Sequence, residues 1–138
     1  MIIVVCGATA SYKTRLSVDL AKRYNGIVVN ADSLQVYKEL DIATAKIKEE
    51  EKEGIPHYLF DIVDKNDMYT VYDYQKDLRN ILDNNRDKNI IIVGGTGLYI
   101  KAGLYNYVFE DDTSYDTYND ISNEELYEKV KEQYPNLD

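Results

Sequence analysis

Gly7-Ala8-Thr9-Ala10-Ser11-Tyr12-Lys13-Thr14 stands between the β-branched run Ile2-Ile3-Val4-Val5-Cys6 and a segment whose apolar residues recur with helical spacing. A loop that leaves a buried strand and opens a helix points backbone N–H groups at the helix's positive end, where phosphate is held. The Walker A pattern G-x-x-x-x-G-K-[ST], a nucleotide-binding and ATP-binding signature, is met at Gly7, Lys13 and Thr14, but Tyr12 stands where the second glycine belongs. A side chain at that point predicts a clash or a remodelled loop, and so an altered phosphate site.

Working outward, Ile2 to Cys6 reads as a parallel strand buried on both faces, with Cys6 packed at its end as a small apolar side chain. From Thr14 the spacing of Leu16, Leu20 and Tyr24, with Ala21 beside them, predicts a helix that Asn25-Gly26 stops, Gly26 taking the left-handed conformation. Ile27-Val28-Val29 is a second strand, with Asn30-Ala31-Asp32-Ser33 at its carboxyl end. Glu49 to Glu53 reads as a solvated charged face, and Tyr58 to Val63 as a third strand. Val71, Tyr74, Leu78, Ile81 and Leu82 share one helix face, N-capped by Thr70 with Asp73 three residues on. Asn89 to Val93 is a fourth strand running into Gly94-Gly95-Thr96-Gly97, and Leu98 to Leu104 is helical.

Strands alternating with helices predict an α/β fold, a three-layer, P-loop NTPase-like parallel sheet with helices on both faces. Ligands of such sheets bind beyond the carboxyl ends of the strands, so the junctions at Gly7 to Thr14, Asp32 to Gln35 and Gly94 to Gly97 should meet in one crevice.

The 138 residues suit one domain, and their net charge of -9 is uneven. Residues 1–108 carry 14 Lys+Arg against 15 Asp+Glu; residues 109–138 carry 2 against 10. We therefore divide the chain into a core, 1–108, and an acidic segment, 109–138, in which Ser122 to Glu125 is a capping box opening a helix that Pro135 ends. The acidic segment would repel a nucleic-acid backbone. The single cysteine, the lack of a membrane-length apolar run and the absence of a charged leader before the first strand predict a cytoplasmic protein with no membrane partner.

Five segments together resemble one family. Gly7 to Thr14 resembles the GPTASGKT phosphate loop of the tRNA dimethylallyltransferases (tRNA isopentenylpyrophosphate transferases), and Asn30-Ala31-Asp32-Ser33-Leu34-Gln35-Val36-Tyr37 their NADSxQVY segment. Leu40 to Lys46 is similar to LDIGTAK, His57 to Asp64 to HYLxDIVD, and Gly94 to Tyr99 to GGTGLY. Members are roughly twice as long or more, so the resemblance is to their N-terminal part. It implies a fold incomplete at the C-terminus, ending in the start of a helical insertion.

The resemblance implies transfer of the dimethylallyl group of dimethylallyl diphosphate to N6 of the adenosine 3′ to the anticodon of a tRNA, by a monomer that uses Mg²⁺. Gly7, Ala8, Thr9, Ala10, Ser11, Tyr12, Lys13 and Thr14 would form the pyrophosphate cradle, with Lys13 on the phosphates and Thr14 orienting the metal. Asp32 would take the proton from N6; Ser33, Leu34 and Gln35 would hold the target base of the anticodon loop; Thr96 would line the reaction channel and touch the tRNA. A weakened or inactive member is expected, since Tyr12, Ala8, Ala43 and Ile47 replace residues that set backbone shape. The alternatives are a non-catalytic P-loop fragment, a small-molecule P-loop kinase or an adenylate prenyltransferase. Taken singly, Asp32 serves equally as a helix cap, Gly94 to Gly97 as a tight turn, and His57 as a packing residue. Lys46 fits a second phosphate-facing cation or a surface charge, and the fourteen tyrosines fit core edge and surface.

Overall fold

Ile27 and Val29 face one side of the sheet and Val28 the other, and the same alternation in Ile90, Ile91, Ile92 and Val93 gives two separate apolar layers. The computed structural model describes residues 1–8, 11–40, 45–109 and 122–133. Thr9, Ala10, Ala43, residues 110–121 and Pro135 lie outside the described residues.

The sheet is β1 (Ile2–Cys6), β2 (Gly26–Asn30), β3 (His57–Tyr58) and β4 (Asn89–Gly94), all parallel, in the order β1-β4-β2-β3. On one face α1 (Lys13–Tyr24) packs through Val18 and Ala21; on the other α2 (Val71–Asn84) and α3 (Gly97–Leu104) bring Tyr74, Leu78 and Tyr99. A short 3₁₀ turn spans Glu49–Lys52, and α4 (Asn123–Gln133) opens on the expected box, with Glu125 N donating to Ser122 Oγ (3.3 Å) and Ser122 N to Glu125 Oε2 (3.1 Å). The expected α/β class with helices on both faces is present. The cap of α2 also forms as expected, Thr70 Oγ1 accepting from Asp73 N and Thr70 N donating to Asp73 Oδ2.

Several local expectations are corrected. β1 is an edge strand, and nothing described packs over its Ile2, Val4 and Cys6 face, which is exposed, while the Ile3 and Val5 face is packed. Helix α1 buries Ser17, Val18 and Ala21, leaving Leu16 and Tyr24 49% and 37% exposed. Small residues let α1 lie close on the sheet, and Ser17 is buried because its hydroxyl donates to Thr14 O at 2.7 Å. Asn25, not Gly26, takes the left-handed turn (φ 48); Gly26 belongs to β2, where a Cβ would lie 2.7 Å from Asn89 O. The third strand is only two residues long, because Leu59 (φ 62) and Asp61 (φ 54) break the extended run before a parallel bridge resumes at Tyr37 and Val63. Tyr74 and Tyr99 are core residues, stacked with centroids 4.2 Å apart, and burial holds both phenols above their ordinary pKa.

Candidate functional site

Three strand ends meet at one edge of the sheet. After β2, the buried Asn30 shapes the chain: its amide donates to Asp32 O (3.0 Å) and Leu59 O (2.9 Å), and its Oδ1 accepts from Asp32 N (2.9 Å). Asp32 then folds the next turn, its Oδ1 accepting from Leu34 N at 2.9 Å. After β4, Gly94 passes so close to this turn that a Cβ would stand 2.2 Å from Ala31 C and O and 2.7 Å from Asp32 N. A Cβ on Gly95 would lie 3.9 Å from Asp32 Oδ2 and 3.6 Å from Gly7 O, which places all three junctions side by side.

Thr96 staples two of them. Its backbone N–H donates to Ala31 O (3.0 Å), and its hydroxyl accepts from Ser33 N (3.0 Å) and donates to Ser33 Oγ (3.3 Å). The turn reading of Gly94 to Gly97 and the cap-like reading of Asp32 thus both describe real bonds, and neither consumes Asp32 Oδ2 among the hydrogen bonds just named.

The first junction enters α1 without an acidic residue in its first turn and without a side-chain cap. Its leading N–H groups therefore lack intrahelical partners, which favours an anion there. The Lys13 ammonium is drawn back onto Ala8 O and lies 3.4 Å from Ser11 Oγ, which itself donates to Ala8 O at 2.7 Å. The Tyr12 backbone takes the left-handed conformation (φ 58, ψ 16) and its side chain is 86% exposed. Glycine is thus replaced at a cost in backbone strain.

A cavity of about 430 Å³ opens between these parts. Ser11, Tyr12, Lys13, Thr14, Asp32 and Gln35 line it, whereas Ser33, Leu34 and Thr96 lie beside it and serve the turns. Ile47, His57 and Phe60 also line it, three residues that the sequence does not mark as site residues. The signal was available, since they fall at or next to two of the five matching segments. His57 Nδ1 donates to Ile55 O at 2.7 Å, and burial holds the imidazole below its ordinary pKa, so the ring is the neutral wall of a pocket. Lys46 is neither phosphate-facing nor a surface charge: its side chain is 4% exposed and its ammonium pairs with Asp61 and Tyr37 O.

A parallel α/β sheet whose first strand runs through a lysine-bearing loop into a helix, with a carboxylate across the cavity, has the architecture of the P-loop NTPase-like class. A family model described as IPP transferase matches residues 35–137, and the chain belongs to that family. It is 47% identical over 137 residues to the tRNA dimethylallyltransferase of Anoxybacillus flavithermus, covering 95% of this chain and 44% of that one. It is 48% identical over 114 residues to the enzyme of the same name from Staphylococcus aureus strain JH9, covering 81% and 37%.

Among solved structures, the full-length tRNA isopentenylpyrophosphate transferase of Bacillus halodurans superposes with a TM-score of 0.77 at 36% identity, over 98% of this chain and 48% of that one. A eukaryotic dimethylallyltransferase acting on tRNA gives 0.79 at 31% identity, over 97% and 36%. The chain therefore spans less than half the length of the relatives it matches.

Proposed function

We propose that this chain is the donor-binding core of a tRNA dimethylallyltransferase, which moves a dimethylallyl group from dimethylallyl diphosphate to N6 of the adenosine 3′ to the anticodon. The observation that supports it best is the cavity in which Lys13 and Thr14 are brought together with Asp32 and Gln35. Negative charge grows on pyrophosphate as it departs, and the start of α1 with the Lys13 ammonium offers fixed positive potential for it. Across the cavity a carboxylate of Asp32, held through Oδ1 by Leu34 N, has its second oxygen to accept the proton that N6 loses on forming the new C–N bond. Gln35 offers an amide to the edge of the adenine, which has to leave its stack to enter. Ser33, Leu34 and Thr96 shape the turn that receives the base, and Gly7 to Tyr12 form the loop around the pyrophosphate.

Mg²⁺ suits the donor set. Among the described residues no group of three His, Cys, Asp or Glu is assembled to cage a metal, while Thr14, which carries a hydroxyl, lines the cavity. Mg²⁺ keeps several waters and takes substrate phosphate oxygens, so one protein hydroxyl at the phosphates is a fitting share. Bound there, the ion would neutralise charge on the leaving pyrophosphate.

Residues 1–108 would carry donor and base sites and 109–138 would begin a further helical part. No helix of the described residues is long and apolar enough to cross a membrane. A tRNA-modifying enzyme would work in the cytoplasm, here as a monomer. Calorimetric titration with dimethylallyl diphosphate and Mg²⁺ tests the proposal. Saturable binding that Lys13→Met weakens at least tenfold is expected; no heat from the unmodified chain, or equal affinity in the variant, contradicts it.

A further inference from the structure

The turn that carries Gln35 is held from one side by the chain around Asp61. Asp61 N donates to Gln35 O (3.3 Å), Ile62 N and Val63 N both donate to Val36 O (2.8 and 3.1 Å), and Lys38 N donates to Val63 O (2.9 Å). Lys46 closes the arrangement, its ammonium donating to Tyr37 O at 2.8 Å and pairing with the Asp61 carboxylate at 2.5 Å. Asp61 thus touches the turn through its backbone and, by way of Lys46, through its side chain.

The Lys46 side chain is 4% exposed and that of Asp61 48%, so the ammonium loses much of its hydration while the carboxylate keeps contact with water, and such a half-buried pair adds little net stability. What the pair supplies beyond an apolar contact is direction. Three donors on one nitrogen fix a carbonyl and a carboxylate relative to each other, and Asp61 is kept in the left-handed region (φ 54) while it does so.

We propose that Lys46 and Asp61 are positioning residues: they lock the 33–37 turn so that Gln35 stands at a set place beside Asp32, in the wall that would receive the adenine. The base-holding part of this rests on the tRNA dimethylallyltransferase function proposed above; the lock itself does not. The bonds named for Lys46 and Asp61 share no atom with those joining Ser11 and Lys13 to Ala8.

The test uses Lys46→Met and the double variant Lys46→Met/Asp61→Asn, in which both charges go and the new residue tolerates a left-handed backbone. Hydrogen exchange of the free chain comes first. Amides at 37–38 and 61–63 should exchange at least tenfold faster in both variants, with those of β2 and β4 unchanged; unchanged exchange at 37–38 and 61–63 overturns the lock whatever the chain binds. Two affinities follow, for an anticodon stem-loop RNA with adenosine at the 3′ side of the anticodon and for magnesium pyrophosphate. The RNA should bind at least tenfold more weakly to both variants, while pyrophosphate affinity changes less than twofold. A double variant that regains RNA affinity along with its melting temperature shows a structural pair only, and a parallel fall in pyrophosphate affinity shows general damage; either overturns the proposal. Absence of RNA binding by the unmodified chain overturns the base-holding role together with the tRNA function, and exchange still decides the lock.

Discussion

At Tyr12 a bulky residue takes a backbone conformation that glycine adopts freely, and its ring is spent on solvent. The strain is about 1 to 2 kcal/mol, offset in part by the entropy that glycine would add to the unfolded chain. Tyr12→Gly should therefore raise stability by about 0.5 to 1 kcal/mol in urea unfolding, and a lowered midpoint would contradict this placement of the ring. Gly94→Ala has the opposite sign. The added methyl meets the Ala31 backbone rather than a movable side chain, and a loss of about 3 kcal/mol is expected; a loss under 1 would mean the turns are not in contact. His57 sets a pH dependence. Its folded pKa is lowered by burial, so its stabilising contribution is complete above about 6.5 and is lost as pH falls through that value toward the folded pKa. Melting temperatures measured from pH 7 to pH 5 should fall, and His57→Gln should flatten the slope. The phosphate-loop pattern points to Lys13 and Thr14, which line the cavity, but it does not give the backbone of Tyr12, because a residue's φ is not written in a pattern of identities.

Elements were legible where their ends carried chemistry. Thr70 and Asp73 announced α2, and both reciprocal bonds are present. Thr70→Ala should cost about 1 kcal/mol of stability in thermal or urea unfolding, and no measurable loss would show that the box is idle. The same bonds hold the Asp73 carboxyl below its ordinary pKa, so this contribution stands above about pH 4 and is lost as acid protonates it. Faces were harder to read. Leu16, Leu20 and Tyr24 form the apolar stripe of α1 by spacing, yet Ser17 and Ala21 face the sheet, since closeness of approach depends on what lies opposite and not on the helix alone. β3 was overestimated for a similar reason: Leu59 and Asp61 look like strand residues and are turned by tertiary bonds.

For the molecule as a whole, the order β1-β4-β2-β3 could not be read from local pattern, because it depends on which crossovers the chain takes. The convergence of the three loop ends could be read, because every parallel strand in such a sheet delivers its carboxyl end to the same edge. Edge position also separates neighbours on one strand. Val5→Ala should cost about 1 to 2 kcal/mol, from its packed face, while Val4→Ala, 38% exposed, should cost well under 1; equal losses would place another layer over β1. The central claim is that the loop from Gly7 to Thr14 and the turn at Asp32 form two walls of one pyrophosphate-fed cavity. Hydrogen exchange with and without magnesium pyrophosphate tests it most directly. Slowed exchange at the amides of Ser11 to Arg15, where α1 begins, with a smaller effect at Asp32 to Gln35 and none along α2, is the expected result. Slowing confined to other parts of the chain, with the start of α1 unaffected at saturating ligand, would contradict it.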